Sequence, residues 1–523
     1  MKMTWLVTRS AAAGLAALVC VCAPAQAQYG ALNGEWRSYG GDVGGTKYSP
    51  LDQIDATNFS SLVQAWNWTT VDAMLSTELA GGEWTSSSAN IFEALQEQTP
   101  ELWRSDQHPL IENLKATPLM AGGRLFLVTP LSVGVSVDAK TGEVLWIYNP
   151  KSYEDGTTSM TVIYNQRGVS YWSDGADDER VFWGTGNGYL ICVDAKTGRP
   201  CAGFGVDGRV DLTTTLPRSD RGERDYLNAL LYSVQSAPIV IRNVVVTPVS
   251  IADRRITMEA VPGWIRGWNV RTGEERWSFH TIPQAGELGV DTWENDSWQY
   301  SGNTNVWSTY AADEELGLLY APTGTATNDF YGGHRLGSNL FSESLIAIDA
   351  ETGQRVWHFQ AVHHGLWDYD FPTHPNLIDI TVDGREIKAV AQVTKQGFLF
   401  VFDRVTGEPV WPIEEHPVPP SDIEGERIHP TQPIPTKPAP FEPNGAFEEN
   451  LIDFTPELRA QALEIFQRYR SGPVYTPPSA QGTIVNPGWA GGGNWNGAAF
   501  DPETQYLYIP SYSDYTVVEL APP

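Results

Sequence analysis

The chain has 523 residues and a formal net charge of -29, with 63 acidic side chains against 34 Lys and Arg. A surface this acidic repels phosphate backbones and argues against nucleic acid as a partner. The length exceeds one ordinary core, and the 49 Gly and 20 Trp spread among short β-like runs favour one large repetitive all-β fold.

At the N-terminus, Lys2 and Arg9 precede an apolar run over residues 11–23 that leads to Ala25-Gln26-Ala27. This is the pattern of a cleaved secretory signal over residues 1–27, so a mature domain over 28–523 is expected in the periplasm or outside the cell. The apolar run is too short for a membrane span. A strand is predicted over residues 62–68, and residues 71–112 read as an irregular surface insertion.

A pattern then recurs: a strand, Asp-Ala-x-Thr-Gly, and a second strand often carrying Trp. It starts at Asp138 (with Trp146), Asp194, Asn269 (with Trp277), Asp349 (with Trp357) and Asp403 (with Trp411), with a degenerate copy at Asp501. The Asp side chain caps a hairpin turn, the Gly supplies its positive φ, and the Trp packs between neighbouring sheets. The copies recur at intervals of roughly 50 to 100 residues, the length of a four-stranded propeller blade with its loops. Cys192 and Cys201 flank one such turn, and an oxidising compartment favours a disulfide between them. Two isolated cysteines do not make a zinc site, and no C-x-x-C-H haem motif is present.

Two segments interrupt the β pattern. Residues 409–443 are proline-rich and read as an extended surface connection. Residues 455–470 read as a capped helix, with Thr455 as N-cap, Pro456 first and Gly472 past the end.

The densest chemistry is His363-His364-Gly365-Leu366-Trp367-Asp368-Tyr369-Asp370, followed by Lys395 in Thr394-Lys395-Gln396-Gly397. A carboxylate within hydrogen-bond reach of an alcohol can take its hydroxyl proton as a hydride leaves carbon. With Arg167-Gly168-Val169-Ser170-Tyr171-Trp172, Gly302-Asn303-Thr304-Asn305-Val306-Trp307, Tyr331-Gly332-Gly333-His334-Arg335 and Gly493-Asn494-Trp495, these stretches resemble the pyrroloquinoline quinone (PQQ) dependent dehydrogenases. The glucose/quinate branch is the nearest, and the likeness runs through essentially the whole mature chain.

The resemblance implies an eight-bladed β-propeller with tryptophan-docking repeats and PQQ near its axis. It makes Asp368 the general base and Lys395 the cation that bonds the quinone oxygens and stabilises the reduced cofactor. Arg167 would pair a PQQ carboxylate, Trp307 would stack on the flat ring, and Asn494 and Trp495 would add further contacts. It also implies a cation against the quinone as Lewis acid, Ca²⁺ or alternatively Mg²⁺ or a lanthanide, held by hard oxygen ligands. Asp253 and Glu259 fall in the region of that metal site, and Asp370 matches an extra carboxylate of some relatives. The substrate would be a sugar, polyol or cyclic alcohol, and the electron acceptor ubiquinone or cytochrome c.

The chain departs from the family in three places. Thr325 stands where some relatives have Asn, with Asn328-Asp329 shortly after. Thr161 and Val162 occupy the positions of adjacent cysteines in alcohol-oxidising relatives, and Ile163 lies near the glucose branch's His, which leaves open what covers the second face of PQQ. Relatives also continue past the position of Pro523, so the ring is expected to be incomplete at its C-terminal end, with a second polypeptide as one way to finish it. A non-catalytic propeller scaffold and a truncated pseudoenzyme are the alternatives.

Overall fold

Each Asp-x-x-Thr-Gly sequence forms a turn closed by its own first side chain. Asp349 Oδ1 accepts from Glu351 N at 3.1 Å, Thr352 N at 2.8 Å and Thr352 Oγ1 at 2.8 Å, while Gly353 N donates to Asp349 O at 2.8 Å. Asp138, Asp194 and Asp403 repeat this arrangement, and Asn269 substitutes its amide oxygen for the carboxylate. A short polar side chain that satisfies two backbone N–H groups favours the turn over continued strand.

The glycine closing each turn also serves the neighbouring sheet. Gly353 has φ +73°, and a Cβ there would sit 2.7 Å from the Trp277 side chain. Trp277 lies flat on this turn and donates Nε1 to Ala350 O at 2.9 Å. Trp66 docks on the Asp138 turn, Trp146 on the Asp194 turn and Trp357 on the Asp403 turn, each donating Nε1 to a turn carbonyl. The repeated sequence therefore encodes contacts between sheets as well as turns within them.

In the computed structural model, residues 31, 34–72, 114–155, 164–217, 232–252 and 257–521 are described. The expected signal peptide, most of the predicted insertion, residues 161–163 and Asp253 lie outside them. The first sheet holds β1 (Leu119–Ala121), β2 (Arg124–Val128), β3 (Gly134–Asp138) and β4 (Val144–Tyr148). The second holds β5 (Ser170–Ser173), β6 (Glu179–Gly184), β7 (Tyr189–Asp194) and β8 (Arg209–Asp211). A short pair follows, formed by β9 (Tyr232–Ser233) and the later β12 (Ser250–Ile251). Between and after them, β10 (Ile239–Ile241), β11 (Val244–Thr247), β13 (Ile265–Asn269) and β14 (Glu275–Phe279) make the third four-stranded sheet. The fourth is β15 (Ala311–Asp313), β16 (Leu318–Pro322), β17 (Ser344–Asp349) and β18 (Arg355–Gln360).

A three-stranded sheet of β19 (Asn376–Val382), β20 (Arg385–Val393) and β21 (Leu399–Asp403) comes next. Two hairpin strands, β22 (Ile413–Pro417) and β23 (Thr431–Pro435), pair with each other, and helix α1 covers Pro456–Phe466. Finally β24 (Thr483–Val485) pairs with β27 (Thr516–Val518), and β25 (Ala499–Asp501) pairs with β26 (Tyr506–Tyr508).

Every pairing between these named strands is antiparallel. The first strands of successive sheets touch in series, β1 to β5, β10, β15, β19 and β25, which is the hub of a β-propeller. An N-terminal segment crosses this hub. Trp36 exchanges backbone hydrogen bonds with Met120 of β1, and Val43, Gly44 and Thr46 accept from Ala312, Leu377 and Phe500 at the starts of β15, β19 and β25, each at 2.8 Å. Among the described residues no helix is long and apolar enough to cross a membrane.

Four local expectations change. Residues 62–68 carry no assigned strand; Trp66 holds this segment by docking on the first sheet. Val71 and Asp72, read as part of an exposed insertion, are buried, with Asp72 Oδ2 accepting from Leu131 N at 3.1 Å. The proline-rich stretch folds back as the β22–β23 hairpin, because its alternate backbone groups find partners across the turn. Helix α1 has the expected Thr455 cap but ends at Phe466, since Arg470 is drawn into pairing with Gly482 and Ile484. Cys192 and Cys201 are joined as a disulfide with Cα atoms 5.5 Å apart.

Removing a docking indole tests the role assigned to the repeats. Trp277→Ala is expected to destabilise the chain by about 3–5 kcal/mol in urea unfolding, the range for truncating a buried large aromatic. A change below about 1 kcal/mol would show that the sheets hold without it.

Candidate active site

The antiparallel order of each sheet sorts the loops. In a four-stranded sheet entered at its inner strand, the first-to-second and third-to-fourth connections lie at one end of the hub. The second-to-third connection and the link to the next sheet lie at the other. The Asp-x-x-Thr-Gly turns therefore share one end. Arg167 precedes β5, Gln235 precedes β10, Asn303, Asn305 and Trp307 precede β15, Asp368 and Asp370 precede β19, and Asn494 precedes β25. Thr325 follows β16 and Lys395 follows β20, both in second-to-third connections. All of these residues consequently reach the opposite end, where they line one cavity of about 260 Å³.

Lys395 sits in a tight turn. Gly397 N donates to Thr394 O at 3.2 Å, and Thr394 Oγ1 donates to Phe398 O at 3.0 Å. The apolar residues 398–402 lead the chain into the core and leave Lys395 only 4% exposed. Its Nζ donates to Asp368 Oδ1 at 2.8 Å and to Asp370 Oδ2 at 2.7 Å. Asp370 Oδ1 also accepts from Thr325 N at 2.6 Å. Asp368 has φ +57°, an uncommon conformation for a non-glycine residue, fixed here by burial on both sides: Trp367 Nε1 donates to Thr476 O at 2.9 Å and Tyr369 OH to Pro487 O at 2.6 Å.

One ammonium faces two carboxylates with little water. Burial pushes the Asp368 carboxyl well above the usual range; Lys395 opposes this and the charge of Asp370 adds to it. Burial also acts on Asp370, but Lys395 and its hydrogen bonds hold it below the usual value. Burial works against the Lys395 charge, and the two carboxylates nevertheless raise its pKa. Of the two carboxylates, Asp368 is thus the one that takes up a proton more readily.

Around this triad lie flat and cationic surfaces. Lys395 Nζ is 5.7 Å from the Trp307 ring centroid, and the Arg167 guanidinium lies 4.4 Å over the Trp495 ring. Asn494 lines the cavity and donates Nδ2 to Ala490 O at 2.6 Å. Trp495 lies beside Arg167 at a smaller cavity that Arg167 also lines. The structure thus brings Asp368, Asp370, Lys395, Arg167, Trp307 and Asn494 together on one cavity, with Trp495 against its wall.

Glu259 does not join them. The backbone at Ala260 and Val261 is pinned by Tyr300 and Asn303, which leaves Glu259 on the exposed side of the bend and away from the cavity. Asp253 lies outside the described residues. No group of three His, Cys, Asp or Glu side chains among the described residues is arranged to hold a metal ion. Of the expected Asp253, Glu259 and Asp370, Asp370 lies on the cavity and Glu259 does not line it.

The donor set does suit a flat, multiply anionic redox cofactor. Two cations, Lys395 and Arg167, and the Trp307 ring share a cavity wall with the carboxamides of Asn303, Asn305 and Gln235.

Several contributors were not singled out from the sequence. Asn303 and Asn305 lay inside a quoted motif, whereas Asp329 was already noted as following Thr325. Glu343 had no such signal. It is fully buried just ahead of β17, and its Oε1 accepts from Thr325 Oγ1 at 3.0 Å, one residue behind the triad. Burial, with the charge of Asp370 adding to it, pushes its carboxyl from 4.5 to about 8. Glu426, in the proline-rich stretch, accepts from His364 Nε2 at 2.6 Å and from Gly332 N at 2.6 Å, while His364 Nδ1 bonds Gly337 O at 2.9 Å. Both imidazole nitrogens face acceptors, so this pair clamps the segment leading to Asp368.

Residues 36–523 match the family described as the PQQ glucose/ethanol/alcohol dehydrogenase beta-propeller domain. The chain is 30% identical over 497 residues to the quinate/shikimate dehydrogenase (quinone) of Acinetobacter baylyi, covering 91% of this chain and 56% of that protein. It is 31% identical over 500 residues to the quinoprotein glucose dehydrogenase of Escherichia coli, covering 92% and 56% respectively. It thus spans little more than half the length of these curated relatives. Among solved structures, the quinohemoprotein alcohol dehydrogenase of Pseudomonas putida HK5 shares the fold with a TM-score of 0.62 at 24% identity, over 94% of this chain and 58% of that one.

The elevated carboxyl of Glu343 gives a pH test of the site's packing. Glu343 stays neutral in the fold up to about pH 8, whereas the unfolded chain ionises it near 4.5. Between those values the unfolded state binds fewer protons, so stability falls as pH rises. Glu343→Gln is expected to flatten this decline in urea unfolding at stepped pH between about 5 and 8. Parallel declines in both proteins would contradict the buried neutral acid.

Proposed function

Because the chain belongs to the PQQ glucose/ethanol/alcohol dehydrogenase β-propeller family, we propose that it is a PQQ-dependent dehydrogenase that oxidises a sugar, polyol or cyclic alcohol. The observation that carries this reading is the buried ammonium of Lys395 shared by Asp368 and Asp370 on a cavity wall that also bears Trp307 and Arg167. A propeller used only as a scaffold gains nothing from two carboxylates kept out of water, since their desolvation costs several kcal/mol per ion.

When bound, PQQ supplies the two-electron oxidant that accepts hydride from the alcohol carbon. Asp368 takes the hydroxyl proton, and burial gives its carboxyl the affinity to hold that proton while the C–H bond breaks. Lys395 would present its ammonium to the quinone oxygens and would offset negative charge there. Arg167 would pair a cofactor carboxylate, Trp307 would provide a flat apolar face, and Asn494 and Trp495 would add further contacts. Asp370 keeps Lys395 oriented through its second hydrogen bond.

Ca²⁺, or Mg²⁺ or a lanthanide, is the cation class that the family resemblance suggests. Asp329, Asp368 and Asp370 are the carboxylates that line the cavity, and no step is assigned to the ion. The acceptor proposed for the electrons is ubiquinone or cytochrome c, and the N-terminal sequence supports a periplasmic or secreted location.

The direct test is reconstitution of the full chain with PQQ and Ca²⁺ or La³⁺, with dye reduction followed across glucose, quinate, glycerol and ethanol. Turnover of at least one of these is expected. Asp368→Asn is expected to lower kcat by at least about 100-fold, the lower end for losing a general base. Absence of both turnover and PQQ binding would favour a non-catalytic propeller or a pseudoenzyme instead.

A further inference from the structure

The wall of the cavity is almost wholly inside the protein. Asp368, Lys395, Asn303 and Thr325 are each less than a tenth exposed. Trp489 lines the same cavity yet is 42% exposed, whereas the other described residues that line it are buried or half-buried. The indole therefore stands at the mouth, at the boundary between solvent and the triad.

Its position is fixed by the elements that hold the triad. Tyr369 OH, between the two carboxylates in sequence, donates to Pro487 O at 2.6 Å. Gly488 N donates to Asp514 O at 2.8 Å, and Gly491 N to Gly488 O at 2.9 Å, which closes a tight turn with Trp489 at its corner. The far side of that turn lies on Lys395: a Cβ at Gly491, with φ +78°, would sit 2.5 Å from Lys395 Cγ, and Gly492 N donates to Lys395 O at 2.7 Å. An exposed aromatic on a free loop would be an ordinary surface residue. This one is carried by a turn fastened to both Lys395 and the Asp368 segment.

An apolar plane set beside carboxamides and carboxylates matches the surface of a cyclic polyol. Such a ring presents a flat C–H face to an aromatic while its hydroxyls point outward to polar groups. An open-chain polyol must freeze its rotors to present the same face, and that ordering opposes binding. We propose that Trp489 is the specificity-determining platform of this site: its indole takes the C–H face of a cyclic polyol and delivers one ring hydroxyl to Asp368. The inference rests on the dehydrogenase reading above and narrows its substrate class.

The test compares myo-inositol with glucitol, which match in carbon and hydroxyl number but differ in ring closure. Wild type, Trp489→Leu and Trp489→Phe are assayed as full-length, PQQ-reconstituted protein. Trp489→Leu is expected to lose about tenfold in kcat/KM for myo-inositol, the scale of one lost apolar contact, carried by KM, with glucitol changed by less than about twofold. Trp489→Phe is expected to recover most of the loss, because it keeps a flat ring. Equal losses for both polyols, or no loss for either, would overturn the proposal. If wild type turns over neither polyol but oxidises another alcohol, the platform reading fails and the dehydrogenase reading stands. If wild type oxidises nothing, the dehydrogenase reading fails, and isothermal titration of myo-inositol into the reconstituted protein decides the platform alone. Binding weakened about tenfold by Trp489→Leu would support it, and no binding to wild type would overturn it.

Discussion

A lysine ammonium buried between two aspartates sets the terms for the hub. Lys395 balances one of its two carboxylate neighbours and leaves the other to be offset by a proton, a cation or an electron-poor ligand. A pair of this kind contributes little net stability compared with an apolar replacement, yet losing one member is costly. Such an arrangement persists where its charge is used, and here it borders a cavity that also presents Arg167 and Trp307.

The fold makes this convergence cheap in sequence terms. Antiparallel sheets entered from their inner strands place two kinds of loop at one end of the hub and two at the other. One end is given over to similar turns capped by Asp or, at residue 269, Asn, on which indoles dock, so stability is distributed through repeats. The other end is free to vary and collects single residues from many loops. Glu343 and the His364–Glu426 clamp form a buried layer behind the triad, and this layer sets the polarity and position of the groups in front.

Features with a local cause were legible in the sequence. The turn at Asp349 needs only its own side chain and Gly353, and the cap of helix α1 needs only Thr455 and Pro456. The chemical stretch around Asp368 stood out because a cluster of charge and aromatics interrupts an otherwise repetitive chain. Features that depend on distant partners were not legible. Glu426 meets His364 across 62 residues, from a stretch whose prolines suggest nothing beyond extension. Helix α1 stops early because Arg470 pairs with a later segment, and Glu259 faces outward because two neighbours are pinned elsewhere. Glu343 is a lone acid ahead of an apolar strand, a position that ordinarily reads as a solvated strand end.

The central claim is that the Lys395 triad is the seat of a quinone cofactor. The most direct measurement is equilibrium titration of the full chain with PQQ, followed by the change in its absorbance, for wild type and for Lys395→Gln shown by circular dichroism to be folded. The account predicts saturable binding to wild type and an affinity at least about tenfold weaker in the variant, the scale of one charge-assisted hydrogen bond lost. Equal affinity in the two proteins, or no binding to wild type, would contradict it.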